Sequence, residues 1–560
     1  MRTDTFIALD KTEAIRSANA LTTGEAIGTV SEVGGATVTV TLSPRLDAPL
    51  HVGDLLTVLS GSSVYLGEVA TIESVLEVQH ARLSLLSTVD ATNLALTPGI
   101  SHLPRSGSSV LRPSTTLLKA FLEDRRSLFE DLTRNVSIEL GTSPLCPTHP
   151  LEFSPERILG RHLAIVGTSG SGKSWSLARI LEQCARNRGK MILIDPSGEY
   201  RTLPGTARHV HIGSAPSPVA SSTEVTIPYY QLTEADLVAI LRPTTATQII
   251  KLRAAIRSLK LLNVDPRLGI DGNIPKAHRL KVPYELAFSE YHEDICAPEN
   301  NFNVRNLPMQ IGLECVDPIR GHTESNYWGG INTTDHNDCV PLISKLEDLM
   351  QTRDLDPVLR PTQGESLLEA VEEFLRDPSL AILRVSCEYL STVNRVREII
   401  SNALARHLLS LARSGRFMGS PLILAVDEAH QMLPTSSSLL SHDYPLEAFN
   451  VIAKEGRKYG LTLCIATQRP RDIPDDVLSQ VGTFIVHRLV SDSDRSAIER
   501  ASGGLNHALN TRLPLLSPGE AFLLGVEFHT PLRLKVERPS SPPLSNGPDF
   551  QSSWGAATVQ

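Results

Sequence analysis

Residues 161–174 read RHLAIVGTSGSGKS, and this stretch decides the fold class. An apolar run, Leu163 to Val166, leads into Gly167-Thr168-Ser169-Gly170-Ser171-Gly172-Lys173-Ser174, a complete G-x-x-x-x-G-K-[ST] loop. The glycines let backbone N–H groups converge on nucleotide phosphates, Lys173 neutralises their outer oxygens, and the Ser174 hydroxyl is the expected Mg²⁺ ligand. The pattern requires a strand before it and a helix after it. Residues 162–166 suit the strand, and 173–188 read as a helix stopped at Gly189.

Downstream the chain alternates strands and helices, which predicts a mostly parallel sheet covered by helices. MILID (191–195), SLAILRVS (379–386), LILAV (422–426), LTLCIA (461–466), TFIVHRL (483–489), AFLLGV (521–526) and LRLKVE (532–537) are its strands. Between MILID and SLAILRVS lies a long insertion. Residues 229–262 read as helical; 265–340, rich in Pro, Asn, Gly and His, read as irregular. Val396, Ile399, Ile400, Ala403, Leu404, Leu408 and Leu411 mark the buried face of one helix.

Strand LILAV delivers Asp427 and Glu428 to its C-terminal end, where ligands bind in such sheets. Asp427 is expected to hold Mg²⁺ through water, and Glu428 to act as general base on the attacking water. Gln468, ending the 461–466 strand, suits a sensor of the γ-phosphate. Arg457, in KEGRKYG (454–460), suits an arginine finger reaching a neighbouring subunit, or a cation closing a helix dipole. Asp427-Glu428-Ala429-His430 also spells a DEAH box. The arginine-rich motif of a second helicase domain is missing, so His430 reads as an incidental neighbour.

N-terminal to the glycine loop, Gly24 to about Val78 alternates with a period of two, as in Thr37-Val38-Thr39-Val40-Thr41-Leu42, between turn residues. That pattern predicts a small β-barrel or sandwich. Residues 114–134 read as a helical connector, and the tail from Pro539 as too polar to fold alone.

The whole chain of 560 residues exceeds a single binding module, and 41% hydrophobic with 21% charged residues is a soluble globular composition. No apolar run reaches the roughly 18 residues of a membrane helix, and the acidic N-terminal stretch does not resemble a signal peptide, so a cytoplasmic protein is expected. Seven scattered cysteines form no C-x-x-C pair, which points to buried, reduced thiols. The net charge of −9 argues against a basic coat, although a ring with a basic pore and acidic exterior has the same balance. Lys276-Ala-His-Arg279-Leu-Lys281 reads as solvated loop, or alternatively as a DNA-facing pore loop.

Together GRHLAIVGTSGSGKS, ILIDPSGEY, LAVDEAH, KEGRKYG and ATQRPRDIPDDVLSQVGTFIVHRL, after a small β-domain, resemble the HerA family of the HerA/FtsK hexameric ATPases over residues 20–537. The resemblance implies an α/β, RecA-like P-loop ATPase domain (161–538, insertion at about 229–378). An N-terminal β-barrel (1–112), a helical connector and linker (113–160) and a disordered tail (539–560) complete the expected organisation. It implies a homo-hexamer fuelled by ATP and Mg²⁺ that translocates double-stranded DNA. A separate nuclease or sirtuin-type effector is expected to dock on the barrel, in DNA end processing or antiphage defence. By motif position Arg161 matches a family arginine ahead of the P-loop, Asp195 the acid ending the second strand, and Arg457 the trans-acting arginine. Ser169 stands where the family usually has Thr. The alternatives are a ring-shaped ATPase scaffold regulating an effector without processive translocation and, less favoured, a secretion or conjugation ATPase.

Overall fold

The computed structural model describes residues 21–44, 49–61, 63–75, 78–90, 96–100, 102–123, 136–215, 221–297, 300–320, 324–360, 364–392, 395–433, 446–503, 507–528, 530–545 and 550. They fall into two compact units. One comprises Met1–Gln183 and Val481–Ser540, the other Cys184–Gln480 and Ser541–Gln560.

The first unit begins with seven strands: β1 (Thr22–Gly34), β2 (Thr37–Leu42), β3 (Leu55–Ser60), β4 (Ser63–Val75), β5 (Val78–Asp90), β6 (Leu96–Pro98) and β7 (Ser109–Pro113). Their antiparallel order β2-β1-β7-β3-β4-β5 is closed by β2 pairing β5, so six strands form a barrel and β6 adds to β5. The alternation read in β2 is the cause: Val38, Val40 and Leu42 point inward, onto Leu56, Val58, Val69, Leu83 and Val110. Closure decides between barrel and sandwich, and it comes from the Thr37↔Ser84 register across 47 residues. A helix, Thr115–Leu122, follows, capped by the Ser114 hydroxyl; the rest of the expected connector helix, 124–134, lies outside the described residues.

Next come β8 (Ile138–Ser143), β9 (Cys146–Phe153) and β10 (Leu163–Val166), then the helix Lys173–Arg186. The second unit contributes β11 (Lys190–Asp195), β12 (Ala207–Ile212), β13 (Thr223–Val225), β14 (Ile382–Ser386), β15 (Leu422–Val426) and β16 (Leu461–Thr467). These six are all parallel, in the order β13-β12-β14-β11-β15-β16. β14 and β15 are buried at every position, as strands covered on both faces must be. The chain then returns to the first unit with β17 (Thr483–Val486), β18 (Glu520–Gly525) and β19 (Leu532–Val536). There β10 pairs β17 in parallel, and β18, β19, β8 and β9 continue antiparallel.

The insertion is more regular than its composition suggests. Residues 265–340 contain the helices Val282–Glu290, His292–Cys296 and Leu307–Leu313, and the helix Thr333–Gln351 begins there. Pro283 and Pro308 sit in first turns, where a missing N–H costs nothing. Pro341, inside the long helix, is exposed, as is Asn337 one turn before it, while Cys339, Leu342, Leu346 and Leu349 form the buried seam. The basic run is also corrected at one end: Lys276 is buried, paired with Glu314 at 2.6 Å and set over the Tyr284 ring at 4.2 Å. Arg279 stays exposed. Six of the seven cysteines are buried and all are free; burial pushes the Cys184 and Cys387 thiols up to about 12, which leaves them unreactive. Part of the tail is held rather than loose: Thr202 Oγ1 donates to the Pro542 carbonyl at 2.8 Å, and Leu544 N–H to the Glu199 carbonyl at 2.8 Å. Residues 546–549 and 551–560 lie outside the described residues.

Candidate active site

In the first unit the fully buried β10 runs into the glycine loop, and the loop into the helix Lys173–Arg186. Gly170 (φ +72°) and Gly172 (φ +115°) occupy backbone conformations that other residues resist. A Cβ on Gly172 would also lie 3.1 Å from Gly519, and one on Gly167 2.6 Å from His487 Cβ. The loop is braced from within: Ser171 Oγ donates to the Thr168 carbonyl at 2.7 Å, and Gly519 N–H to the Ser171 carbonyl at 2.9 Å. Thr168 donates both its N–H (2.9 Å) and its hydroxyl (3.1 Å) to the Arg488 carbonyl. Lys173 is buried at the helix start, where first-turn N–H groups and the helix dipole favour an anion. Ser169 is exposed.

Two observations show that this loop fits a magnesium nucleotide. Arg488 Nε is buried with no hydrogen-bond partner among the described residues, and the half-buried Ser174 hydroxyl likewise has none. An arginine whose carbonyl holds the loop and a hydroxyl in the first helical turn supply the groups that phosphate oxygens and Mg²⁺ use.

His487 has no counterpart in the sequence reading. It is completely buried; Nδ1 donates to the Glu520 carbonyl at 2.9 Å, so Nε2 accepts from the Ser176 hydroxyl at 2.7 Å. The ring thereby ties the first turns of the P-loop helix to β18. Burial lowers its pKa to about 4; the Lys173 charge lowers it further and the Glu520 bond opposes both. The unfolded histidine titrates near 6.5, so below that pH the unfolded chain binds more protons. This contribution is complete above pH 6.5 and is lost as the pH falls towards 4. Between pH 7 and 5 the wild type is expected to lose about 2 kcal/mol more stability than His487→Gln, which urea unfolding at the two pH values measures.

In the second unit β11, β15 and β16 end side by side. Asp427 is fully buried and its N–H donates to the Ile194 carbonyl at 3.1 Å. Glu428 adopts a left-handed backbone (φ +41°), a strain that active sites tolerate when the surroundings enforce it. His430 is no incidental neighbour: its Nδ1 lies 3.3 Å from Glu428 Oε2 and 3.2 Å from Thr467 Oγ1. Gln468 follows, half-buried, with no partner among the described residues.

Asp195 differs from its expected catalytic part. One oxygen accepts from Gly198 N–H (2.8 Å) and Glu199 N–H (3.3 Å), the other from Tyr200 N–H (3.2 Å) and Arg384 Nε (2.7 Å). Both oxygens are committed to holding the β11 loop, which leaves little for chemistry. Arg161 precedes β10 at the end away from the P-loop and pairs with Glu527 at 3.0 Å. Arg457 is exposed on the turn Gly456–Tyr459, and its guanidinium has no partner among the described residues. The structure thus gathers Gly167–Ser174 with His487 and Arg488, and Asp195, Asp427, Glu428 and Gln468 at neighbouring strand ends. Arg161 and Arg457 join neither group.

Parallel strands, a glycine loop opening a helix and an acid pair ending a buried strand define a P-loop nucleotide hydrolase. The family model for the central domain of helicase HerA matches residues 138–386, and that for the HerA-like helicase C-terminal domain matches 404–519. The chain belongs to the HerA family of P-loop ATPases. It is 25% identical over 407 residues to the DNA double-strand break repair helicase HerA of Sulfurisphaera tokodaii, covering 71% of this chain and 69% of that one. With the HerA of Pyrococcus furiosus it shares 23% over 421 residues, covering 73% and 71%. Among solved structures it resembles VirB4 of Thermoanaerobacter pseudethanolicus (TM-score 0.46, 15% identity, 72% of this chain and 96% of that one). It also resembles the plasmid coupling protein TrwB with a non-hydrolysable ATP analogue (TM-score 0.44, 14% identity, 74% and 92%). No helix among the described residues is long and apolar enough to cross a membrane.

Proposed function

We propose that this chain is the motor subunit of a hexameric ring that hydrolyses Mg²⁺-ATP to move along double-stranded DNA, in partnership with a separate nuclease or effector. The observation that carries the reading is the braced P-loop, with an Arg488 Nε and a Ser174 hydroxyl that have no partner among the described residues, in a chain whose relatives are DNA repair helicases. In this reading the loop N–H groups and Lys173 would hold the phosphates, and Ser174, with Asp427 through water, would hold the metal. Bound Mg²⁺ would supply charge neutralisation on the phosphoryl oxygens. Glu428 takes the proton of the attacking water, His430 and Thr467 steady that region, and Gln468 reads the γ-phosphate. The Arg457 guanidinium, exposed and without a partner among the described residues, suits a role on a neighbouring subunit's nucleotide. Arg161, tied to Glu527, suits an interface role. The barrel, whose described residues include no catalytic constellation, is the proposed dock for the effector.

Steady-state ATP turnover with and without linear duplex DNA tests this reading. Stimulation should be several-fold, independent of sequence, and should fall steeply with added salt, because phosphate contacts release counterions. Unstimulated turnover together with no DNA affinity at low salt would favour the scaffold reading.

A further inference from the structure

The helix Ala246–Val264 of the insertion carries charges of two kinds. Lys251 pairs with Asp335 at 2.9 Å, and Arg253 with Glu234. The side chains of Arg257 and Lys260, one turn apart on the same face, have no hydrogen bond or ion pair among the described residues. Lys260 is half-buried despite its charge. Both border a cavity of about 330 Å³ whose floor is the buried pair Tyr229 and Phe302, ring centroids 5.1 Å apart, and whose rim includes Tyr230, Phe288 and His292. Phe288 and His292, centroids 5.9 Å apart, also border a second hollow of about 460 Å³ that continues along Tyr284, so the aromatic ridge serves both.

Aromatic faces beside unpaired cations are the two halves of nucleotide recognition: rings stack on bases, and Lys or Arg neutralises the phosphate. The cavity is at the small end of the range for ligand pockets. Glu234 is the one carboxylate in the lining; it pairs with Arg253 and also attracts Lys260, so with Arg257 and Lys260 the lining of the hollow is net positive. We propose that this hollow binds a nucleoside phosphate unit, its base on the ridge of Tyr230, Phe288 and His292 and its phosphate on Arg257 and Lys260. The unit is either a free nucleoside monophosphate or one nucleotide of a single strand, with the second hollow receiving the next base. Duplex DNA does not qualify, because its bases are already stacked. None of these residues belongs to the P-loop or the acid pair, and the inference does not depend on ATP hydrolysis.

Photocrosslinking to the full chain, with the P-loop saturated by a non-hydrolysable ATP analogue, tests it. One arm uses 5-iodouridine monophosphate, the other a short oligothymidine strand containing one 5-iododeoxyuridine. Crosslinks should map by mass spectrometry to Tyr230, Phe288 or His292, and the Arg257→Gln/Lys260→Gln variant should lower the yield by about tenfold. Phe288→Leu, which keeps the apolar volume, should lower it comparably. Crosslinking in both arms assigns a free nucleotide site, and crosslinking in the strand arm alone assigns single-stranded nucleic acid. Crosslinks confined to other segments, or a yield unchanged in the double variant, would overturn the proposal. The Arg257 and Lys260 side chains hold no hydrogen bond or ion pair among the described residues, so the double variant keeps its fold.

Discussion

Glu428→Gln is expected to bind ATP with near wild-type affinity and to lose turnover by about 10²–10⁴-fold, the usual worth of a positioned general base. The amide has the shape of the carboxylate and keeps an oxygen within reach of His430 Nδ1, 3.3 Å away in the native chain. The left-handed backbone at this position costs Gln no more than Glu. Lys173→Ala should behave differently, because a buried ammonium at the helix start acts on the phosphates themselves: nucleotide affinity should fall together with turnover. Calorimetric titration with ATP and phosphate release under saturating ATP separate the two. A Glu428→Gln enzyme that turns over normally would place the base elsewhere.

Asp195→Ala should destabilise the second unit by about 3–5 kcal/mol, the cost of removing one partner from a buried ion pair. Arg384, 3% exposed, would be left charged with its 2.7 Å partner gone, and the amides of Gly198, Glu199 and Tyr200 would lose their acceptor. Asp195→Asn keeps an oxygen for part of that set and should lose less. Denaturant unfolding monitored alongside turnover distinguishes the two roles for this acid. A catalytic Asp195 predicts lost turnover at an unchanged midpoint, whereas the geometry predicts that the midpoint falls first.

Much of the chain could be read locally. A glycine loop needing left-handed backbone at Gly170 and Gly172, apolar runs of strand length at β10, β14 and β15, and a period of two in β2 are short-range patterns. Each specifies its own element because steric and solvation demands act over a few residues. The acid pair Asp427-Glu428 was legible for the same reason, being attached to the strand that buries it. The helices of 265–340 were not, since Pro and Asn there serve as first-turn and capping residues, which composition alone counts as breakers.

What the tertiary structure alone decided is which polar groups meet. His487 faces Ser176 across 311 residues and Arg384 faces Asp195 across 189. Thr467 reaches His430 across 37, and Glu314 takes Lys276 out of solvent across 38. A hydrogen bond or buried ion pair between neighbouring elements leaves no periodic trace in either segment, because it depends on sheet order and crossover path rather than on local preference. The sequence therefore determined the P-loop, the acid pair and the strand-and-helix alternation by itself. Packing decided that Asp195 is a brace, that His487 supports the P-loop helix, and that Arg488 Nε and the Ser174 hydroxyl find no partner among the described residues.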